Sequence, residues 1–451
     1  PKAPRGICGA DAHAIAGRNY LRFVAGGASA HSDHGREICH TLHAASRDGS
    51  YQIKDEKKLL SLAAEWGIAT ENRDIYDVAH EVAEMGLMEY GKPFGTQRFL
   101  SRATAERQKV WEETGIAPRA IDREVTTAMH MTHMGNTADP EALVRQSLRT
   151  GMADGWGGSM MGTEISDILF GTPTPRDTEA NLGVLEQDMV NIIVHGHDPA
   201  LSEMVVLAAE SPELVEYARS KGAKGINIAG LCCTANEVAM RHGVRMAGNF
   251  LQQENAILTG AVELIVVDVQ CIFPALQPLS ECFHTKLVTT SEICRIPGAT
   301  HISFEATRAY DQGCEIVRMA IDNFDKRDAA KIFIPPAKQN ATVGYSCEAI
   351  RKVLDGVTNS HVDERDTYKP LIDCITSGVL RGAVAIVGCN NPKVRPDYSH
   401  IEIMKELLKN DIIIIASGCS AQAAAKAGLL SKDAKNLCGE GLKRVCELAD
   451  I

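Results

Sequence analysis

Two textures of hydrophobic patterning divide this chain. From residue 1 to about 180, apolar positions recur every three or four residues, as in Asp55–Trp66, Arg73–Tyr90 and Asp139–Thr150. That spacing predicts helices. Asp139-Pro140 supplies the third with an N-cap and a proline at the first helical position. Gly155–Pro175, rich in Gly, Met, Thr and Pro, reads as an irregular passage to the next domain. From about Leu182, short Ile/Val-rich runs alternate with helical stretches such as Ala200–Lys221, Asn236–Gln253 and Thr307–Asn323. This alternation predicts βαβ units and a parallel sheet. The polar segment Gly356–Tyr368 precedes a second α/β pattern, which begins near Leu371 and holds two clear strands. The expected fold class is therefore α/β. An N-terminal helical domain (1–180) is followed by two Rossmann-like parallel-sheet domains, 181–368 and 369–451. The last is expected to be incomplete, because two strands do not make a buried parallel sheet.

Five of the β-type runs stop on a metal-capable side chain. Asn191-Ile-Ile-Val leads to His195-Gly-His197, and Gly225-Ile-Asn-Ile-Ala-Gly-Leu leads to Cys232-Cys233. The others end at Cys271, Cys389 and Cys419. In open α/β sheets ligands bind beyond the carboxyl ends of the strands. A lone Cys in such a core is more often a small buried residue; several at equivalent topological positions, beside a His, point to one metal cluster. The cysteines have no CxxC or zinc-knuckle spacing, so the cluster would be assembled by the tertiary fold. In extended backbone Cys232 and Cys233 would face opposite sides, whereas His195 and His197 could share one. Position alone chooses within neither pair. The remaining cysteines (8, 39, 282, 294, 314, 347, 374, 438 and 446) are expected to serve packing.

Composition narrows the function classes. Hydrophobic content of 45% and charged content of 23% are those of an ordinary globular protein. A net charge of −11 without a basic tract excludes a nucleic-acid surface, and no apolar stretch reaches the length of a membrane span. Fourteen cysteines in 451 residues is too sparse for a disulfide scaffold and suits reduced thiols in the cytoplasm. The chain opens on Pro1 rather than Met, so a preceding segment is expected. No P-loop, dinucleotide fingerprint or nucleophile elbow is present.

A second constellation lies on one predicted helix. His31, His34, Glu37, His40 and His43 recur at i+3, making each a surface neighbour of the next. From His31 to His40 the helix climbs roughly 13 Å. Such a ladder could pass protons, or it could be a His-rich polar face.

Several motifs together resemble the catalytic subunit of anaerobic nickel–iron carbon monoxide dehydrogenase. They are Gly6-Ile-Cys-Gly-Ala, Ala30-His-Ser-Asp-His-Gly-Arg, Asp167-Ile-Leu-Phe-Gly-Thr-Pro, Val194-His-Gly-His, Leu231-Cys-Cys-Thr-Ala-Asn-Glu, Val267-Asp-Val-Gln-Cys-Ile-Phe-Pro, Val387-Gly-Cys-Asn-Asn-Pro and Gly418-Cys. They follow the family's order through essentially the whole chain. The resemblance implies reversible oxidation of CO with water to CO2, two protons and two electrons. It implies a nickel–iron–sulfur cluster of the Ni-4Fe-4S type, with His197 (ahead of His195) and Cys233 on the outlying iron and Cys271, Cys389 and Cys419 on the cubane. It assigns His31 to the substrate side and His34 and His40 to a proton relay. Glu37 stands where another histidine is common, and a carboxylate ordinarily titrates about two units below an imidazole. The family's nickel-binding cysteine and catalytic lysine match no position here and are expected beyond Ile451. Additional 4Fe-4S clusters are expected in a Cys-rich segment before Pro1. The same resemblance implies a cytoplasmic homodimer, a ferredoxin-like electron acceptor and acetyl-CoA synthase as a candidate partner. Two alternatives stand beside it: a hybrid-cluster hydroxylamine reductase, and a non-catalytic iron–sulfur homologue.

Overall fold

The computed structural model describes residues 4–358 and 368–449. The polar segment expected to separate two α/β domains falls mainly at 359–367, outside the described residues. The chain forms two compact units, Pro1–Gly171 and Thr172–Ile451.

The first unit is helical: α1 (Ala12–Asp48), α2 (Glu56–Glu65), α3 (Ile75–Glu89), α4 (Ala105–Glu113), α5 (Ile121–Met131), α6 (Pro140–Ala153) and α7 (Met160–Phe170). Asp11 caps α1 by accepting from the Ala14 amide, and Gly49 closes it in the left-handed conformation at φ 68°. Asp139 caps α6 with Pro140 behind it, as the sequence predicts. Four glycines lie within α1 and each costs a helix about 1 kcal/mol. Leu21, Ile38 and Leu42 are fully buried along it, and each is worth about 1.5–3 kcal/mol, so packing decides the matter.

The passage at Gly155–Pro175 differs from expectation. Asp154–Ser159 is a π-helical turn running straight into α7. Gly157, Gly158 and Gly162 mark close packing rather than irregularity. A Cβ on Gly158 would lie 2.7 Å from the His31 carbonyl oxygen, and one on Gly162 would lie 2.9 Å from the His34 ring. Tertiary contact with α1 here outweighs glycine's poor helix propensity.

The second unit is built on a sheet of eight strands: β1 (Arg176–Ala180), β2 (Val190–Gly196), β3 (Ile226–Leu231), β4 (Arg245–Gly248), β5 (Val262–Val267), β6 (Lys286–Thr289), β7 (Thr300–His301) and β8 (Gln339–Val343). Their order is β7-β6-β5-β2-β3-β4-β1-β8, parallel throughout except the β1–β8 edge pair. Residues before 180 thus already belong to the sheet. Helices α8 (Pro199–Ala209), α9 (Pro212–Ser220) and α10 (Cys232–His242) follow β2 and β3 as crossovers. Every residue of β2 and β5 is buried. Val190, Ile192 and Val194 enter one core with Leu264 and Val266, while Ile193 joins Ile265 and Val267 in another. This period-two division is what a sheet covered on both faces requires. The buried Glu263 carboxylate is satisfied by Arg327, the His284 ring at 2.9 Å and the Asn191 amide at 2.6 Å. β9 (Gly382–Val387) and β10 (Ile412–Ser417) form a separate parallel pair, and much of it is exposed.

Candidate metal centre

Register brings the strand ends together. His195 on β2 pairs with Leu231 on β3 and with Val267 on β5, so three chain segments leave the sheet at one level. In the smaller pair, Val387 lies opposite Ser417, which sets Gly388-Cys389 beside Gly418-Cys419. A Cβ on Gly418, whose φ is +66°, would lie 3.4 Å from the Gly388 carbonyl oxygen. The two turns approach that closely because both positions lack a side chain. Asn236 on α10 donates to the Gly418 carbonyl at 3.1 Å, and Gln422 bridges the Asn236 side chain and the Cys232 carbonyl. These bonds hold the smaller pair against the end of β3.

Four thiols form a line at this place. The Cys232 thiol neighbours those of both Cys419 and Cys271, and Cys271 also neighbours Cys389. Burial pushes the Cys232 and Cys233 thiols far above their ordinary value. Interaction with the Cys232 and Cys389 thiols holds Cys271 well below its own, and interaction with Cys232 lowers Cys419. Cys389 is pushed up by its interaction with Cys271 and by burial. Packed thiols cannot all ionise without positive charge among them, since each thiolate penalises the next. Thiolate-rich sites of this kind suit soft metals, and a line of thiols is broader than a single-ion cage. Among the described residues, none of these sulfurs joins two other donors within 4.8 Å of one another. The donor set fits a cluster better than one ion.

Both histidines lie within electrostatic reach of Cys271. His197 Nδ1 donates to the Val269 carbonyl at 3.2 Å, which leaves the ring's lone pair on Nε2. Metal-bound imidazoles are oriented in this way. His195 is fully buried, and its Nε2 donates to Gln253 Oε1 at 3.1 Å. Gln253 in turn donates to the Cys271 carbonyl at 3.1 Å. The Asp268 carboxylate accepts from the His197 amide at 2.6 Å and from Thr234 Oγ1 at 2.9 Å. Gly196, at φ +138°, is obligatory because a Cβ there would overlap that carboxylate.

Cys232 and Cys233 do not obey the extended-chain rule. Leu231 ends β3, and Cys232 turns left-handed at φ +60° to start α10. Both side chains therefore reach the site: Cys232 neighbours Cys271 and Cys419, and Cys233 lies within electrostatic reach of the same two. Gln270 and Cys271 also have positive φ, of 69° and 57°. Such positions cost about 1–3 kcal/mol each and concentrate at functional sites. The sequence left the choice between Cys232 and Cys233 open, and the positive φ at Cys232 is what lets both thiols approach the site. Of the cysteines expected to pack, Cys39 is buried, but Cys8, Cys282 and Cys347 are exposed.

In the helical unit, His31, His34, Glu37, His40 and His43 all lie on α1. His31 Nδ1 meets Asp154 Oδ1 at 2.7 Å, a partner the sequence reading did not find. Glu37 and His40 are exposed, while His31, His34 and His43 are half-buried.

Comparison with known proteins matches residues 2–448 to the Prismane/CO dehydrogenase family. The chain is 50% identical, over its whole length and 70% of the relative's, to carbon monoxide dehydrogenase 1 of Methanosarcina mazei. It superposes on a nickel-free carbon monoxide dehydrogenase from Thermococcus sp. AM4 with a TM-score of 0.94 and 49% identity, covering 100% of this chain and 70% of that one. A chain of an acetyl-CoA synthase/carbon monoxide dehydrogenase, a complex with NiZn[Fe4S4] and NiNi[Fe4S4] clusters in its alpha subunits, gives a TM-score of 0.93 at 40% identity, covering 99% of this chain and 67% of that one. The chain belongs to the prismane/CO dehydrogenase family.

Proposed function

We propose that this chain catalyses the reversible oxidation of CO with water to CO2, two protons and two electrons. The observation that carries the reading is the line of four thiols beside two imidazoles at aligned strand ends. It occurs in a chain half identical to a carbon monoxide dehydrogenase along its whole length. That likeness favours CO oxidation over hydroxylamine reduction and over a non-catalytic iron–sulfur role.

His197, Cys233, Cys271, Cys389 and Cys419 are the proposed ligands of a Ni-4Fe-4S cluster, with Cys232 beside them. When bound, the cluster supplies a site for CO, Lewis-acid activation of water and a store for two electrons. The chain's own contribution is positioning and proton transfer. Val269 fixes the His197 tautomer, and Asp268 anchors the backbone at His197 and Asp198. Asp154 holds Nδ1 of His31, so that Nε2 is the atom that takes up and releases protons. Protons then pass along α1 through His34, Glu37 and His40. The spacing of these groups on one helix supports this path, as i+3 neighbours stand about 5–6 Å apart at Cβ.

The electron acceptor is proposed to be ferredoxin-like, and the working form a cytoplasmic homodimer in an anaerobic cell. The likeness to an acetyl-CoA synthase/carbon monoxide dehydrogenase supports acetyl-CoA synthase as a partner. No described helix is long and apolar enough to cross a membrane. The deciding experiment is CO-dependent viologen reduction by the full-length, metal-loaded protein under anaerobic conditions. Turnover with CO supports the assignment; an inactive protein with full nickel and iron content overturns it.

A further inference from the structure

One group of side chains in the helical unit has the geometry of a metal site that the CO chemistry does not use. α1 contributes His43, and α3 contributes His80 and Glu84, four residues apart on one helix face. One ligand atom of each lies within 4.8 Å of the other two, and among the described residues this is the one such trio. The imidazole rings stand 4.5 Å apart at 33° to each other. The His80 tautomer is fixed from outside the trio. Ser46 Oγ gives its proton to the His43 carbonyl at 2.7 Å, so it can only accept from His80 Nδ1, 3.0 Å away. The lone pair of His80 is therefore on Nε2, which lies 3.5 Å from Glu84 Oε1. Arg47 also reaches that nitrogen, at 3.3 Å, but it is exposed and is the group an incoming cation would displace.

We propose that His43, His80 and Glu84 bind one divalent transition-metal ion of the zinc class. Two imidazoles and a carboxylate leave a fourth tetrahedral position for water. Imidazole ligands select zinc, cobalt, nickel or copper over magnesium and calcium. Ligand pairs on one helix joined by a ligand from a facing helix are how helical bundles build such sites. Ser46 is the outer partner that orients His80.

The test is equilibrium dialysis of the anaerobic holoenzyme against radioactive zinc, with nickel and iron counted separately by mass spectrometry. Wild type is expected to bind one more zinc equivalent than His80→Ala or Glu84→Ala, with nickel and iron content equal in all three. Ser46→Ala should retain that equivalent but bind it about 10- to 100-fold more weakly. Glu84 is exposed, so its replacement leaves the fold intact even if His80→Ala does not. Equal zinc binding by wild type and the Glu84→Ala variant overturns the proposal.

Discussion

His31 Nδ1 lies 2.7 Å from Asp154 Oδ1, tying the middle of α1 to the π-helical turn before α7. Ser159 donates to the same carboxylate oxygen at 3.2 Å and fixes its direction. Asp154 thus sets the ring orientation and tautomer of a proposed acid–base group. Asp154→Asn keeps the shape but removes the charge. Positioned acid–base groups contribute about 10²–10⁴-fold, so kcat should fall by about 10²-fold with KM for CO little changed. Steady-state viologen reduction measures both; an unaltered kcat would show that His31 needs no such partner.

Glu37 occupies the middle of the ladder on α1 and is exposed. If protons step through this rung, Glu37→Gln should slow turnover by about tenfold, since an amide cannot exchange protons at neutral pH. Glu37→His should match or exceed wild type near neutrality, where imidazole titrates. Adding free imidazole to the Glu37→Gln enzyme should restore rate by replacing the lost carrier. If Glu37→Gln is as fast as wild type, proton flow bypasses this position.

The adjacent cysteines can be separated by metal content. Cys233 is the proposed ligand, while the thiol of Cys232 neighbours two other proposed ligands, Cys271 and Cys419. Cys233→Ser should lose iron as fully as Cys271→Ser does. Cys232→Ser should retain more of it, since its role is contact with ligands. Plasma mass spectrometry on anaerobically purified variants decides the order, and the reverse order would move the ligand back by one position.

Much of this arrangement was legible in the sequence because it follows from periodicity. The five strand ends, the N-cap at Asp139 and the single helix bearing His31 to His43 all rest on local patterns. What escaped depends on distant groups. Gly158 and Gly162 read as helix breakers until the His31 carbonyl and the His34 ring are seen against them. Asp154 lies 123 residues from the His31 it orients. The extended-chain rule failed at Cys232 because one left-handed residue resets which way its neighbour points. The thiols at Cys8 and Cys282 look like core residues by type, yet neither sits in a core.

Cys39 gives a pH-dependent stability with a definite sign. It is fully buried on α1, and burial pushes its thiol up to about 12 from an ordinary 9.0. The unfolded chain releases this proton near the ordinary value, while the folded chain keeps it. Below pH 9 both states hold the proton, and the group contributes its full stabilisation. Between pH 9 and 12 the unfolded state alone is ionised, so stability falls by about 1.4 kcal/mol per pH unit from this residue. Other thiols add their own slopes, so the informative quantity is the difference between wild type and Cys39→Ala. Urea denaturation of both at about pH 8 and about pH 10 should show wild type losing about 1 kcal/mol more than the variant. Parallel losses would mean that the Cys39 thiol ionises in the folded protein as readily as in the unfolded chain.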